Sequence, residues 1–360
     1  MVRRFGWRFR LPLSRAFSTP SRELHIMLIL FTDRHRTGGE HIEREAVGPG
    51  IDLEFHDNPE DIPDASWARA DAIVTFRGPP AVMKALPKLQ KARIVVRGGV
   101  GFDGLDLKAL GERGIAVSNV PDYGTTEVAD HAIALMLALR RGLDRYEERM
   151  RRDPGGLWRF VDSPCVDRLR GRTFGVYGLG RIGLAAARRA AAFDMDVIFY
   201  DPHLSDGTDL ATGYKRVTSA EALFEACDTV SLHSPLTSET RGAVNADLLG
   251  RMKKGSVLIN TARGPIVDLD ALYAALKAGT PAGAGLDVLP KEPADANHPL
   301  LKAYMAREPW LDGRLMITPH AAFYSPPGVN DLRSKAAKTA AERLRTGHAR
   351  NCQNLEYLVK

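Results

Sequence analysis

The 360-residue sequence predicts an α/β protein built from two doubly wound parallel-sheet domains. Three observations carry this. Short β-branched runs alternate with helical patterns from Met27 onward, which is βαβ order and implies parallel strands. A second such series begins at Arg172. A glycine turn, Gly178-Leu-Gly-Arg-Ile-Gly183, sits between a strand and a helix of that second series.

In the first series, strands are predicted at Met27–Phe31, Ala72–Phe76, Arg93–Arg97 and Ala116–Ser118. Helices are predicted at Pro80–Leu86 and Asp106–Gly111. The segment 124–140 reads as a long helix with apolar residues on most faces, which predicts burial between two bodies. Residues 151–170 read as loop-rich, with Asp153-Pro-Gly-Gly156 among them. The second series predicts strands at Thr173–Tyr177, Asp196–Tyr200, Thr229–Leu232, Ser256–Asn260, Ala284–Asp287 and Leu315–Ile317. One helix is expected after the capping box Thr218-Ser-Ala-Glu221, and another after Asp268 as N-cap. The stretch Val329–Thr346 reads as a helix that returns to the first domain. The domains expected are 27–123 with 321–350 for substrate and 124–320 for a nucleotide. Residues 1–26 are an extension and 351–360 a tail.

Composition bounds the function. The chain is 44% apolar and 26% charged, as in globular proteins. Its net charge is +6, but six arginines against Glu23 make residues 1–25 net +5. The body is therefore nearly neutral and lacks the footprint of a nucleic-acid binder. The longest apolar run, Ala132–Leu139, is too short to span a bilayer. Cys165, Cys227 and Cys352 are far apart and odd in number, which suits a reducing compartment and supplies no metal or disulfide framework. The first 25 residues have transit-peptide composition. A start at Met27 in a GC-rich bacterial gene is the competing reading and the favoured one. The expected location is cytoplasmic, or an organelle if the segment is a genuine transit peptide.

The glycine turn has the context that dinucleotide binding requires. The apolar strand Thr173–Tyr177 precedes it, an Ala-rich helix follows, and the next strand ends in Asp201. Gly178 permits the turn, Gly180 lets backbone N–H groups approach a pyrophosphate, and Gly183 allows helix-on-strand packing. The helix N-terminus favours phosphate. Asp201 is expected to accept hydrogen bonds from ribose hydroxyls and to repel a 2′-phosphate, so NAD is favoured over NADP.

Downstream lie a cation, a carboxylate and an imidazole: Arg263 in Asn260-Thr-Ala-Arg-Gly264, Glu292 before Pro293, and His320 after Pro319. Together they suggest hydride transfer between a nicotinamide and a carbonyl or alcohol: hydride arriving at a carbonyl carbon puts negative charge on its oxygen, which then needs a proton donor and a cation nearby. His320 suits the donor. Glu292 would orient it and favour its protonated form. Arg263 would polarise the carbonyl and hold a carboxylate by fork geometry.

These motifs, together with Val96-Arg-Gly-Gly-Val-Gly-Phe-Asp103, Leu232-His-Ser-Pro-Leu-Thr237 and Gly285-Leu-Asp-Val288, run in one order over roughly 27–350. The chain resembles the NAD-dependent D-2-hydroxyacid dehydrogenases, and within them the branch of the C-terminal binding proteins. That branch is suggested by Phe199-Tyr-Asp-Pro-His-Leu-Ser-Asp-Gly207 and Pro319-His-Ala-Ala-Phe-Tyr-Ser325. The resemblance implies Rossmann/flavodoxin-like domains with the active site in the cleft between them, and NAD as cofactor. It implies a small 2-oxo or 2-hydroxy acid substrate, a homodimer joined through the long helix and Leu143–Phe160, and no direct nucleic-acid or membrane partner.

It further implies that Arg181, Ile182, His233, Ser234, Pro235, Thr240, Thr261, Ala262 and Asp287 line the cofactor. For His233 a packing role is nearly as good a reading, and His131 reads as structural. Arg77, Arg97, Gly98, Gly99 and Val100 would meet the substrate, the loop Arg97–Phe102 largely through backbone N–H groups. Phe323 stands where the animal corepressors carry Trp, so their substrate preference does not transfer. Ser234 replaces a common Cys, and the span from Glu292 to His320 is longer than in many relatives. An NAD(H)-responsive protein-binding scaffold and a short-form phosphoglycerate dehydrogenase are the alternatives.

Overall fold

A computed structural model gives the structure of the chain and describes residues 26–35, 38–160 and 162–358. The extension 1–25 lies outside the described residues. The first sheet holds β1 (Met27–Phe31), β2 (Ile51–Phe55), β3 (Ala72–Thr75), β4 (Ile94–Arg97) and β5 (Ala116–Asn119). Its order is β2-β1-β3-β4-β5. Every pairing is parallel. The crossovers are α1 (His41–Val47), α2 (Asp64–Arg69), α3 (Pro79–Ala85) and α4 (Leu107–Gly111). β1, β3, β4 and β5 are largely buried on both faces and open on apolar residues, with polar side chains only at the carboxyl ends of β3, β4 and β5.

Five elements escape the sequence reading, the charged helix over Leu143–Arg152 among them. β2 is an edge strand, Ile-Asp-Leu-Glu-Phe, with only Ile51 fully buried. α1 is mostly charged, and α2 spans six residues. The two-residue β8 of the second sheet is the fifth. None presents enough apolar periodicity to stand out.

After α5 (Thr125–Arg141) and α6 (Leu143–Arg152), the second sheet forms from β6 (Thr173–Tyr177), β7 (Asp196–Tyr200), β8 (Lys215–Arg216), β9 (Thr229–Leu232), β10 (Val257–Asn260), β11 (Gly283–Leu286) and β12 (Leu315–Ile317). Its order is β12-β11-β10-β9-β6-β7-β8, again parallel. The helices between are α7 (Arg181–Ala191), α8 (Thr208–Thr212), α9 (Ala220–Ala226), α10 (Ala246–Gly250), α11 (Leu269–Ala278) and α12 (Pro299–Met305).

Two local expectations need correction. The N-cap of α9 is Ser219, whose hydroxyl accepts from Ala222 N at 3.1 Å, so the capping box starting at Thr218 does not form. Leu223 and Phe224 of this helix are fully buried in the core. The long helix α5 is not held between the two bodies. It packs on α7, β10 and β11 of the second sheet, and its apolar residues serve those several neighbours. Near its end, buried Arg140 donates to the carbonyls of Gly255 (2.7 Å), Cys165 (3.3 Å) and Asp228.

The last helix, α13 (Pro326–Thr346), lies on the first sheet, where Leu332, Ala336, Ala337, Ala340 and Leu344 join its core. The segment assigned to a tail follows it there. Gln353 N donates to Val117 O at 2.8 Å, and buried Asn354 Oδ1 accepts from Val117 N at 2.8 Å. Asn354 Nδ2 donates to Ile115 O at 3.0 Å.

α13 is fixed to α1 by a buried fork. Arg333 Nε and Nη2 each lie 2.6 Å from an oxygen of Glu43, and both side chains are 1–2% exposed. Removing one partner strands a buried charge, a loss of about 3–5 kcal/mol. We expect Arg333→Ala and Glu43→Ala each to lower unfolding free energy by that order in urea titration. A double replacement by Met and Leu should cost less than either single change.

Candidate functional site

The strand order of the second sheet places a crevice. The order reverses between β6 and β9, and the loops leaving their carboxyl ends meet there. Gly178 has φ +94°, and a Cβ there would stand 2.9 Å from Ser234 N. A Cβ on Gly183 would overlap the carbonyl oxygen of Gly178. These two glycines are required by the protein itself.

Gly180 is different. A Cβ there would meet no protein atom within 4 Å, so the open space above it is what glycine preserves. Gly180 is also the N-cap of α7 with no side-chain cap, leaving the first N–H groups of the helix for a phosphate. Arg181 is exposed at that end and Ile182 half-buried.

Asp201 ends β7. Its Oδ2 accepts from Leu179 N and its Oδ1 from His203 N, both at 3.0 Å, so the carboxylate is fixed to the turn. Across the crevice, three buried polar atoms have no partner among the described residues: His233 Nδ1, Ser234 Oγ and Thr261 Oγ1. Buried orphans need an explanation, and a bound polar molecule supplies it. His233 Nε2 lies 2.8 Å from Ser231 Oγ, and burial pushes the imidazole down to about 4, so it is neutral. Thr240 is placed otherwise. Its hydroxyl donates to Pro235 O at 2.7 Å and accepts from Thr237 N at 2.8 Å, so it shapes the loop carrying exposed Pro235.

The acid–base pair stands at the ends of β11 and β12. His320 Nδ1 lies 2.6 Å from Glu292 Oε2, and Leu289 N donates to Glu292 Oε1 at 3.0 Å. Partial burial works to raise the Glu292 carboxyl, but the His320 hydrogen bond and charge, with Arg263 nearby, hold it below the usual range. Ionised Glu292 accepts from Nδ1–H and leaves Nε2 for a reacting proton.

His320 has φ +53°, uncommon for a residue with a side chain, and its neighbours determine it. His320 N donates to Asp287 O at 2.8 Å. Asp287, fully buried, accepts from Ala321 N, Ala322 N and Thr318 Oγ1 at 2.9, 3.0 and 2.6 Å. Its carboxylate therefore fastens the loop that bears His320. His131 of α5 joins this network through Thr318 Oγ1 at 2.9 Å.

Arg263 leaves β10 and reaches the first domain. Its Nε donates to Asp103 Oδ1 at 3.1 Å and its Nη1 to Ala262 O at 2.7 Å. Ala262 N is held in turn by Asn260 Oδ1 at 3.0 Å. The next residue, Gly264, packs so tightly that a Cβ would overlap the carbonyl of Leu289, which ties the Arg263 loop to the strap holding Glu292. A Cβ on Gly101 would fall on Arg263 Nη2.

The facing loop follows β4. Gly98 lies against the Phe76 ring, and Gly99 has φ +154° with the Arg97 guanidinium beside it. Arg97 donates to Gly98 O, and burial together with nearby Arg263 lowers its pKa. Val100 is exposed, and its carbonyl accepts from Asn119 Nδ2 at 2.7 Å. Arg77, at the end of β3, is largely exposed, with Nε 3.9 Å from Asp33. Buried Asp33 organises that end: it accepts from Phe76 N at 2.8 Å, from Thr75 Oγ1 at 3.3 Å and from Arg77 N. Phe323 links His320 to Tyr123, with ring centroids 6.4 and 6.1 Å away. The structure thus brings Arg263, Glu292 and His320 together beside the glycine loop. Asp33, Asp103 and the His131–Asp287 link went unassigned in the sequence, where each reads as an ordinary loop or helix residue.

A family model for the NAD-binding domain of D-isomer specific 2-hydroxyacid dehydrogenases matches residues 133–322, over half of the chain. A glyoxylate reductase of Korarchaeum cryptofilum is 38% identical over 277 residues, 76% of this chain and 78% of that protein. A D-3-phosphoglycerate dehydrogenase of Archaeoglobus fulgidus is also 38% identical, over 70% of this chain, but the match spans only 45% of that protein. Among solved structures, a D-lactate dehydrogenase of Aquifex aeolicus with NAD and lactic acid aligns with TM-score 0.74 at 30% identity, covering 92% of this chain and 97% of that one. An NADPH-dependent glyoxylate/hydroxypyruvate reductase of Sinorhizobium meliloti with NADP and malonate aligns with TM-score 0.76 at 30% identity, covering 93% and 98%.

Proposed function

The chain belongs to the D-isomer specific 2-hydroxyacid dehydrogenase family, and on that premise we propose that Arg263, Glu292 and His320 carry its reaction. The protein is an NAD-dependent oxidoreductase that interconverts a 2-oxo acid and a D-2-hydroxy acid. NAD, when bound, supplies or takes the hydride. The carrying observation for the residue roles is the 2.6 Å contact of His320 with Glu292, beside an arginine held over a glycine loop.

In the reducing direction His320 donates its Nε2 proton to the carbonyl oxygen, and the charge left on Glu292 stabilises the imidazolium before transfer. In the oxidising direction Nε2 takes the hydroxyl proton. Arg263 stabilises the developing oxyanion. The N–H groups of the Gly99–Gly101 loop hold the substrate carboxylate, with Arg97 and Arg77 at the pocket wall. The turn Gly178–Gly183 and the α7 N-terminus hold the pyrophosphate, Asp201 the adenosine ribose, and His233, Ser234 and Thr261 the nicotinamide half.

Small 2-oxo acids such as glyoxylate, pyruvate and hydroxypyruvate are the substrates to test first, because similar proteins act on acids of this kind. The test is steady-state reduction of that panel with NADH and NADPH side by side. Repulsion between Asp201 and a 2′-phosphate is worth about 1–4 kcal/mol, so kcat/KM with NADH should exceed that with NADPH by about fivefold or more. Asp201→Ala should narrow the gap. Equal use of both cofactors by the unaltered protein would remove Asp201 from this role.

The segment after α5 carries Trp158, Phe160 and Leu143 at 79, 82 and 54% exposure. Such apolar side chains mark a contact surface, and we assign it to a homodimer. Trp158→Glu with Phe160→Glu should halve the mass measured by sedimentation; a monomeric unaltered protein would contradict the assignment. Among the described residues no helix is long and apolar enough to cross a membrane. The buried thiols of Cys165 and Cys227, pushed by burial up to about 11 and 12, suit the reducing cytoplasm.

A further inference from the structure

We propose that Asp103 is a positioning residue for the reaction, fixing the guanidinium of Arg263 from across the cleft so that only Nη2 faces the substrate. The inference rests on the reading of Arg263 as the substrate-facing cation. Arg263 and Asp103 are 160 residues apart, on loops of different sheets. Among the described residues theirs is the ion pair that joins the two domains.

The contacts leave little choice of orientation. Nε is engaged by Asp103 Oδ1 at 3.1 Å and Nη1 by Ala262 O at 2.7 Å. Held at both nitrogens, the planar group cannot rotate about its last bonds. Nη2 then rests against Gly101, in the loop proposed above to hold the substrate carboxylate. Asp103 and Ala262 O therefore each engage one edge of the fork, and the bidentate grip expected from sequence alone would require displacing one of them. A single nitrogen with two N–H groups can bridge the substrate carboxylate and the carbonyl oxygen, which is where charge develops.

Asp103 is two-fifths exposed, so its role is geometric more than electrostatic. Asn at this position keeps an oxygen acceptor and loses the charge, while Ala loses both. The experiment compares unaltered protein, Asp103→Asn, Asp103→Ala and Arg263→Ala. It reads kcat and KM for the best 2-oxo acid of the panel, NADH affinity by fluorescence, and binding of the unreduced carboxylate oxamate to the NADH complex.

The expected result is that D103A raises KM for the oxo acid and weakens oxamate by about tenfold each, lowers kcat by a similar factor, and leaves NADH affinity within about twofold. D103N stays within about threefold of the unaltered protein. Unchanged kinetics and oxamate binding in D103A would overturn the inference. So would D103N losses equal to those of D103A, or NADH affinity falling in step with oxamate. If the unaltered protein reduces no 2-oxo acid, the functional reading fails. Oxamate binding then still decides the inference: weaker in D103A but not in D103N supports it, and any other pattern, including no binding, overturns it.

Discussion

Replacing His320 by alanine should lower kcat for reduction of any accepted 2-oxo acid by about 10²–10⁴-fold, the usual worth of a positioned general acid, while NADH affinity changes little. The side chain is nearly half exposed in the cleft and touches no buried core, so its loss leaves the fold intact. The backbone at this position is held by Asp287 through three donors from the loop and by His320 N itself. Alanine at φ +53° adds modest local strain, which those bonds offset. Glu292→Gln should be milder, because an amide can still accept from Nδ1 but no longer stabilises the imidazolium. The ratio of the two losses reads the charge component of the pair. Steady-state kinetics with fluorescence titration of NADH makes the measurement; turnover undiminished in H320A would remove the residue from the chemistry.

Gly101→Ala should lower kcat/KM by about 10²–10³-fold with almost no loss of stability. The physical reason is the direction of the missing Cβ, which would fall on Arg263 Nη2. What it strikes is the end of a flexible side chain, so the fold adapts by turning Arg263 away. Gly101 does not have a positive φ, and alanine meets no backbone penalty there. The guanidinium then no longer faces the substrate, a loss comparable to deleting an oxyanion donor at about 2.7–4 kcal/mol. Gly98→Ala is the contrasting control, because its Cβ would strike the buried Phe76 ring and disturb packing. Thermal denaturation separates the two: the Tm of G101A should stay within a few degrees of the unaltered protein. Full activity in G101A would show that Arg263 works from another position.

The strands most legible in the sequence are those whose physics is local. Val257–Asn260 and Ile94–Arg97 are buried on both faces and read as short apolar runs. The glycine turn was legible because each glycine answers a separate steric demand. The edge strand Ile51–Phe55 was not, since its apolar residues alternate with Asp52 and Glu54 and only Ile51 is buried. Long-range partners were hidden for another reason. Asp103 and Arg263 lie 160 residues apart, and Glu43 and Arg333 lie 290 apart. No local pattern marks such pairs; an aspartate after Gly-Phe reads as a turn residue. The role of Asp287 was similarly veiled. Its position in Gly285-Leu-Asp-Val288 pointed to the cofactor, while its two oxygens serve the loop that bends His320 into the cleft.

The most direct measurement follows deuterium from NADH labelled at the transferring position into the product of 2-oxo-acid reduction, with the product's configuration determined. The account predicts deuterium on C2 of a D-2-hydroxy acid. An L product, label absent from C2, or tight NADH binding without reduction of any 2-oxo acid would contradict it.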